Sequence, residues 1–341
     1  MTVIVADSTI PYLDYFFAEH ATIHTYPATE ITSESLNGAD ILLVRSKTQV
    51  NQQLLKNTSV RFVGSCVSGT DHLMLDELSA LGIAYHCALG CNRYAVMEYV
   101  LGVLALLRLK KQFVIENKKV AVIGVGQVGT LVAELFEKLG ANVLRCDPFQ
   151  ENITHVPLDK IKNCALIACH TPLTRSGPYP TDQMLDQKFF ARQAPNCVLI
   201  NAGRGGVVNP KGVEGVTFCL DVWPNEPEID PELLQLSFVA TPHIAGHSTE
   251  GKLKGTEQVY QAAAKVFNWP AKQLPAGAIH GVDVVLDNMH WPELVESVLN
   301  LERMTLTLKK SAQLAEAFKT LRQSYPPRPS FNGIFKEHCY G

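Results

Sequence analysis

Three observations predict an α/β protein with two doubly wound parallel sheets and a small α+β end segment. Short runs of β-branched and aliphatic residues recur along the chain, separated by segments of helical period. Most of these runs end in a polar or glycine-bearing turn, the edge at which open parallel sheets hold ligands. Residues 119–148, KVAVIGVGQVGTLVAELFEKLGANVLRCDP, join a strand, a glycine loop, an amphipathic helix and a second strand in one βαβ unit.

Composition narrows the function classes. The 341 residues are 46% hydrophobic and 18% charged, a soluble globular balance with length for more than one core. A net charge of −3 gives no electrostatic footprint for nucleic acid or an anionic membrane surface. The opening MTVIVADSTIPYL lacks a basic leader region and carries Asp7 within its apolar run, so it reads as a first strand. No apolar run reaches membrane-spanning length. Nine cysteines are scattered without a C-x-x-C pair. That pattern predicts buried thiols, a reducing cytoplasm and no metal site.

In order, strands are expected at 3–6, 41–44, 61–64 and 83–86, with a helix at 11–19. The second strand closes on Arg45-Ser46-Lys47, a cationic turn suited to a phosphate or carboxylate. The third closes on 65–72, SCVSGTDH, small and polar. A long apolar helix from 92 to about 109 leads through a hinge near Asn117 into the glycine loop.

Gly124, Gly126 and Gly129 form G-x-G-x-x-G directly after the run 120–123. The first permits the tight turn, the second lets backbone approach a pyrophosphate, and the third lets the helix lie on the sheet. The free N–H groups and dipole at the helix start favour the negative charge. Asp147 ends the strand 142–146, where a carboxylate accepts from an adenosine ribose and repels a 2′-phosphate. NAD is therefore the expected cofactor.

Further strands at 165–169, 197–201, 217–219 and 238–240 deliver Thr171, then Arg204, Asp221 and His243 to the same edge. Glu226 follows Asp221 closely in DVWPNEP. A histidine beside a carboxylate serves as general base near neutral pH, and an arginine between glycines presents its fork to a carboxylate or carbonyl. Arg204, Glu226 and His243 thus supply what alcohol oxidation requires. A helix at 250–267 returns toward the first domain, and helices at 292–308 and 312–324 follow.

The runs GVGQVG, HTPL, NAGRGGVV, DVWPNEP and TPHIAGHSTEG resemble the D-2-hydroxyacid dehydrogenase family. VRSKTQVN, VGSCVSGTDH, GCNRYAVMEYV and EAFKTLRQSY resemble its branch that oxidises 4-phospho-D-erythronate in bacterial vitamin B6 synthesis. The resemblance implies a flavodoxin-like substrate domain over 1–93 with the returning helix 257–270, and a Rossmann NAD domain over 94–256. It also implies a C-terminal dimerisation domain over 271–341, and hence a homodimer. Position by position it makes Arg204, Glu226 and His243 the catalytic trio. It makes Gln127, Val128, Asp147, Thr171, Ala202, Gly203, Asp221 and Gly246 cofactor contacts beside the glycines, with Asp221 on the carboxamide. Ser46, with Arg45, Val67 and His247, would meet the substrate.

Three positions depart from that branch. Val67 stands where threonine is usual, and His247 where tyrosine is usual. The stretch 206–218 is too short and too rich in Gly and Pro for the crossover helix the family places there, so an irregular loop is expected. Two other readings remain: a relative acting on glyoxylate, D-lactate or 3-phosphoglycerate, and an NAD-sensing interaction protein of the corepressor type.

Overall fold

A computed structural model describes residues 1–334. The chain divides into two compact units, 1–92 with 248–280 and 93–247 with the chain from Gly281.

The first unit holds five parallel strands: β1 (Thr2–Asp7), β2 (Ala21–Tyr26), β3 (Ile41–Val44), β4 (Phe62–Ser65) and β5 (Ala84–Cys87). Their order is β2-β1-β3-β4-β5, doubly wound about β1 and β3. β3 and β4 are buried along their whole length, as central parallel strands must be. β2 lies at the edge and is mostly exposed, so its sequence ATIHTY carries no buried run to announce it. The expected helix near 11–19 contracts to Leu13–Phe17.

Helix Thr249–Phe267 completes this unit. Ser248 caps it, its Oγ accepting from the Gly251 N–H at 3.0 Å. Val259, Tyr260 and Ala263 share a core with Phe16 and Phe17. A Cβ at Gly255 would stand 2.5 Å from the Cys66 carbonyl oxygen, so only glycine allows this close pass. Residues 248–256, expected in the NAD domain, therefore pack with the first unit, because one continuous helix carries a single apolar face. The hinge expected near Asn117 is a turn at φ 58° within the second unit. The chain changes unit at Asn92/Arg93 and His247/Ser248 instead.

The second unit contains β6 (Lys119–Ile123), β7 (Asn142–Cys146), β8 (Leu166–Cys169), β9 (Val198–Asn201), β10 (Thr217–Leu220) and β11 (Val239–Ala240). All are parallel, in the order β11-β10-β9-β8-β6-β7. Helix Arg93–Lys111 is buried almost throughout from Ala95 to Leu107. Between β9 and β10 lies only the 3₁₀ turn Gly205–Val207 and a loop, as the shortened crossover predicts. The loop is tied by Asn209 N–H to the Leu185 carbonyl at 3.0 Å. β9 and β10 still pair in parallel over four residues, Val198 to Asn201 against Thr217 to Leu220.

The tail does not form a compact unit of its own. Residues 271–280 group with the first unit and the chain from Gly281 with the second. The helix expected over 292–308 breaks at Asn300, φ 54°, into Trp291–Leu299 and Leu301–Lys310. Trp291, Val295, Leu299 and Met304 share one core with Val100, Val103 and Leu107. Short amphipathic helices need a partner surface, and the buried helix Arg93–Lys111 supplies it. Arg328 reinforces the attachment, donating to Glu98 at 2.5 Å and to the Ala95 carbonyl at 3.0 Å. The last seven residues of the expected dimerisation segment lie outside the described residues.

Eight of the nine cysteines are buried free thiols, and Cys339 lies outside the described residues. Burial pushes Cys66, Cys146 and Cys219 up to about 12, which keeps them inert. No described helix is long and apolar enough to cross a membrane.

Candidate active site

The three glycines of the loop after β6 do three different things. Gly124 has φ 83° and lies against the backbone at His170 and Thr171, where a Cβ would sit 2.9 Å away. A Cβ at Gly129 would collide with the Gly124 carbonyl oxygen. At Gly126 a Cβ would meet nothing within 4 Å, so the space above it is open. Two glycines are there for packing, and the third leaves room for a ligand at the start of helix Gln127–Lys138. Gln127 and Gly126 are exposed, and Val128 is half-buried. Asp147, at the end of β7, holds the loop from the other side through the Val125 N–H at 2.9 Å. This edge fits a dinucleotide.

The catalytic candidates converge within the second unit. The turn after β9 is stitched by Asn201, whose Oδ1 accepts from Gly203 N–H and whose Nδ2 donates to the Arg204 carbonyl, both at 3.1 Å. Gly205 lies directly on the Trp223–Pro224 backbone, leaving no space for a side chain. That contact brings the Arg204 turn beside the Glu226 turn. Glu226 Oε1 accepts from the Trp223 N–H at 2.8 Å, and Oε2 lies 2.7 Å from His243 Nδ1. With Nδ1–H donating to the carboxylate, Nε2 carries the lone pair of a general base. Arg204, Glu226 and His243 together line a cavity of about 500 Å³ with Trp223, Asn225 and Leu173.

His243 adopts φ 56°, a left-handed conformation that costs a non-glycine residue about 1–2 kcal/mol. Asp221 holds it there. The Asp221 carbonyl accepts from His243 N–H at 2.8 Å, and its carboxylate accepts from the next two backbone N–H groups, Ile244 at 2.8 Å and Ala245 at 2.9 Å. Thr241 Oγ1 donates to the same carboxylate at 2.7 Å and meets Tyr99 at 2.8 Å. Burial pushes the Asp221 carboxyl up, against the opposing pull of His243. Expected on the carboxamide of the cofactor, Asp221 is only 1% exposed, and its carboxylate accepts three hydrogen bonds within the His243 turn.

Thr171 is buried and Ala202 half-buried along the same sheet edge, and Gly203 abuts the Thr171 carbonyl. Gly246 follows the His243 turn and is half-buried. His170 was not singled out by sequence. Part of its surface is exposed, but both ring nitrogens are buried without a hydrogen-bond partner, and burial holds it down at about 4. Trp223, also missed, donates Nε1–H to the Thr241 carbonyl at 2.9 Å and so joins two strand ends. An indole inside an otherwise polar turn was the available signal, because its N–H needs a partner when buried.

The substrate candidates divide between the units. Arg45, half-buried at the end of β3, donates to the Thr9 carbonyl at 3.4 Å, and Ser46 beside it is exposed. Val67 is half-buried after β4. Lys252 belongs to the same unit, and burial, followed by the charge of Arg45, draws its ammonium below the ordinary lysine range. His247 belongs to the second unit, with its ring 6.2 Å from that of Tyr325.

The chain is similar to proteins of known family. The model of the D-isomer specific 2-hydroxyacid dehydrogenase NAD binding domain matches residues 108–245. An erythronate-4-phosphate dehydrogenase of Pseudomonas entomophila is 39% identical over 97% of this chain and 93% of its own length. Another, of Marinobacter nauticus, is 38% identical over 95% and 92%. The chain belongs to the erythronate-4-phosphate dehydrogenase family.

Solved structures share the fold at lower identity. A Thermus thermophilus protein superposes with TM-score 0.69 at 18% identity, covering 80% of this chain and 99% of its own. The Aquifex aeolicus D-lactate dehydrogenase with NAD and lactic acid gives 0.63 at 20%, covering 78% and 96%. The protein is an NAD-dependent dehydrogenase of the D-2-hydroxyacid family, acting on the CH–OH group of a 2-hydroxy acid.

Proposed function

We propose that this enzyme oxidises 4-phospho-D-erythronate at C2 to 2-oxo-3-hydroxy-4-phosphobutanoate, in the formation of pyridoxal 5′-phosphate. The observation that carries the reading is the His243–Glu226 pair at 2.7 Å beside Arg204, in a chain that follows the erythronate-4-phosphate dehydrogenases over nearly its whole length.

Bound NAD supplies the hydride acceptor. His243 Nε2 takes the C2 hydroxyl proton as the C2–H bond breaks. Glu226, bonded to Nδ1, orients the ring and stabilises the imidazolium it becomes. Arg204 binds the substrate carboxylate and polarises the C2 oxygen through its planar fork. Asp221 keeps the His243 backbone in its left-handed state. NAD is held by the open backbone at Gly126, by Gln127 and Val128, and by Asp147, Thr171, Ala202, Gly203 and Gly246. Arg45 and Ser46 receive the phosphate, with Lys252 adding a second charge. Two mutually repelling cations are relieved by a dianionic group and gain nothing from a small neutral tail. Valine at 67 removes a hydroxyl there, and His247 retains a donor.

The tail forms the homodimer contact in this reading, which the exposed Val285, Met289 and Leu306 support. Reduced thiols support a cytoplasmic location. Light scattering on gel-filtered protein tests the dimer, and a monomer at all concentrations rejects it. For the substrate, NADH absorbance is followed with 4-phospho-D-erythronate beside D-lactate, D-glycerate and 3-phosphoglycerate, with a 2-oxo acid acceptor in parallel. Turnover confined to the erythronate phosphate is the expected result. Preference for another acid would leave the hydride chemistry standing and overturn the substrate.

A further inference from the structure

The hydrogen bonds around His243 and Glu226 close into a circuit that begins and ends on one residue, Thr241. Its hydroxyl donates to Asp221 at 2.7 Å. The Asp221 carboxylate in turn accepts from the Ile244 and Ala245 N–H groups that follow His243, at 2.8 and 2.9 Å. The Thr241 carbonyl accepts from the Trp223 indole at 2.9 Å, and the Trp223 backbone N–H donates to Glu226 Oε1 at 2.8 Å. Glu226 Oε2 then meets His243 Nδ1 at 2.7 Å and completes the ring. One arm fixes the backbone of the base, and the other fixes the carboxylate that orients it. Thr241, Asp221 and Trp223 are all buried, so water does not compete for these links.

A second hydroxyl backs this hub. Tyr99, on the buried helix Arg93–Lys111, lies in the apolar core and is 0% exposed, yet its hydroxyl is 2.8 Å from Thr241 Oγ1. A phenyl ring would fill that space with no polar atom to bury. Counting protons sets the direction of the bonds. The single Thr241 hydroxyl proton goes to Asp221, so Thr241 Oγ1 is left to accept from Tyr99. Burial pushes the Tyr99 phenol well above its ordinary range, so it stays protonated and donates. The two bonds run in one direction, and each strengthens the other. We propose that Thr241 and Tyr99 are positioning residues for proton transfer, holding His243 and Glu226 at the separation and angle the reaction needs. Both are fully buried and act only through Asp221 and Trp223. The inference rests on His243 as the general base and holds for whichever 2-hydroxy acid is oxidised.

The test is rapid-mixing measurement of NADH formation in the first turnover, at saturating NAD and with the acid that the parent protein oxidises fastest. Loss of folded protein lowers the amplitude of this phase, whereas misplacement of the base lowers its rate constant. Thr241→Val removes the hydroxyl at nearly constant volume. It should lower the rate constant roughly ten- to a hundredfold, the scale of a small misplacement at a reacting group. Thr241→Ser keeps the hydroxyl and should stay within about threefold of the parent. Tyr99→Phe should lower the rate constant roughly two- to tenfold, the worth of one ordinary hydrogen bond. Added to Thr241→Val it should lower the rate no further, because Tyr99 acts only through that hydroxyl. A parental rate constant in Thr241→Val and Tyr99→Phe, whatever the amplitude, overturns the proposal. Full additivity of the two substitutions overturns it as well. Where Thr241→Val does not fold, Tyr99→Phe decides by itself, and a parental rate constant there is fatal. His243→Ala separates the two levels. An undiminished rate constant in that variant removes the general base and this inference with it, whereas its collapse beside parental rates in the other two overturns this inference alone.

Discussion

The two units are built on nearly the same plan and differ in what their sheet edges carry. Each winds parallel strands doubly, buries its central strands completely and presents loops at the strands' carboxyl ends. In the second unit that edge has a glycine loop with open backbone, an acid after β7 and the Arg204–Glu226–His243 cluster. In the first unit it has Arg45, Ser46 and the small turn 65–72, with Lys252, whose ammonium is held below the ordinary lysine range by burial and by repulsion from Arg45. The lesson is that the sheet provides a place for chemistry and the strand ends decide which chemistry it is.

His243→Ala should sharpen the contrast most. Loss of a general base lowers kcat by roughly 10²–10⁴-fold, with the NAD Kd unchanged by titration. Loss of NAD binding in this variant would mean that the second unit does not separate proton transfer from cofactor holding. Arg45→Ala probes the opposite edge. Removing a charge-assisted contact of about 2–3 kcal/mol raises KM for the phosphorylated acid roughly 30- to 150-fold. An unphosphorylated acid should be affected far less, and equal effects on both would place Arg45 outside phosphate recognition.

A third prediction concerns acid stability. His170 is held down at about 4, below its unfolded value, so the folded protein resists protonation there. Its contribution is fully present above about pH 6.5 and is lost as pH falls toward 4. Replacing it with Gln should flatten the decline of Tm over that window, by up to about 3 kcal/mol at the acid end. Parallel Tm curves for the two proteins would refute this. The smallest effect expected is at Asp147→Ala, where affinity for NAD over NADP should narrow by roughly tenfold as repulsion of the 2′-phosphate goes. An unaltered ratio would move cofactor choice to another residue.

Much of the second unit was legible from sequence because its constraints are local. The glycine loop, the helix behind it and the acid at its end lie within 119–148, so spacing alone predicts them. β7 falls on the expected residues, and the strands that deliver Arg204 and His243 fall within a residue or two of them. β2 was not legible, since an edge strand needs no buried run. The helix Thr249–Phe267 was legible to within a residue, and so was its return to the first unit. The boundary drawn inside it at 256/257 was not, because nothing local marks where a helix changes its partner; Gly255 against the Cys66 carbonyl puts the whole helix in the first unit. The packing of the tail was not legible for the same reason, its apolar faces being indifferent to partner until the buried helix Arg93–Lys111 is in place.

By itself, then, the sequence determined the fold class, the dinucleotide loop and the residue types of the reacting trio, all consequences of short-range pattern. Only the tertiary structure decided that Glu226 reaches His243, that Asp221 braces the left-handed turn at that histidine, and that Thr241 meets both Asp221 and Trp223. Those are meetings between strand ends far apart in the chain, fixed by the order of strands in the sheet and by glycines that let backbone touch backbone.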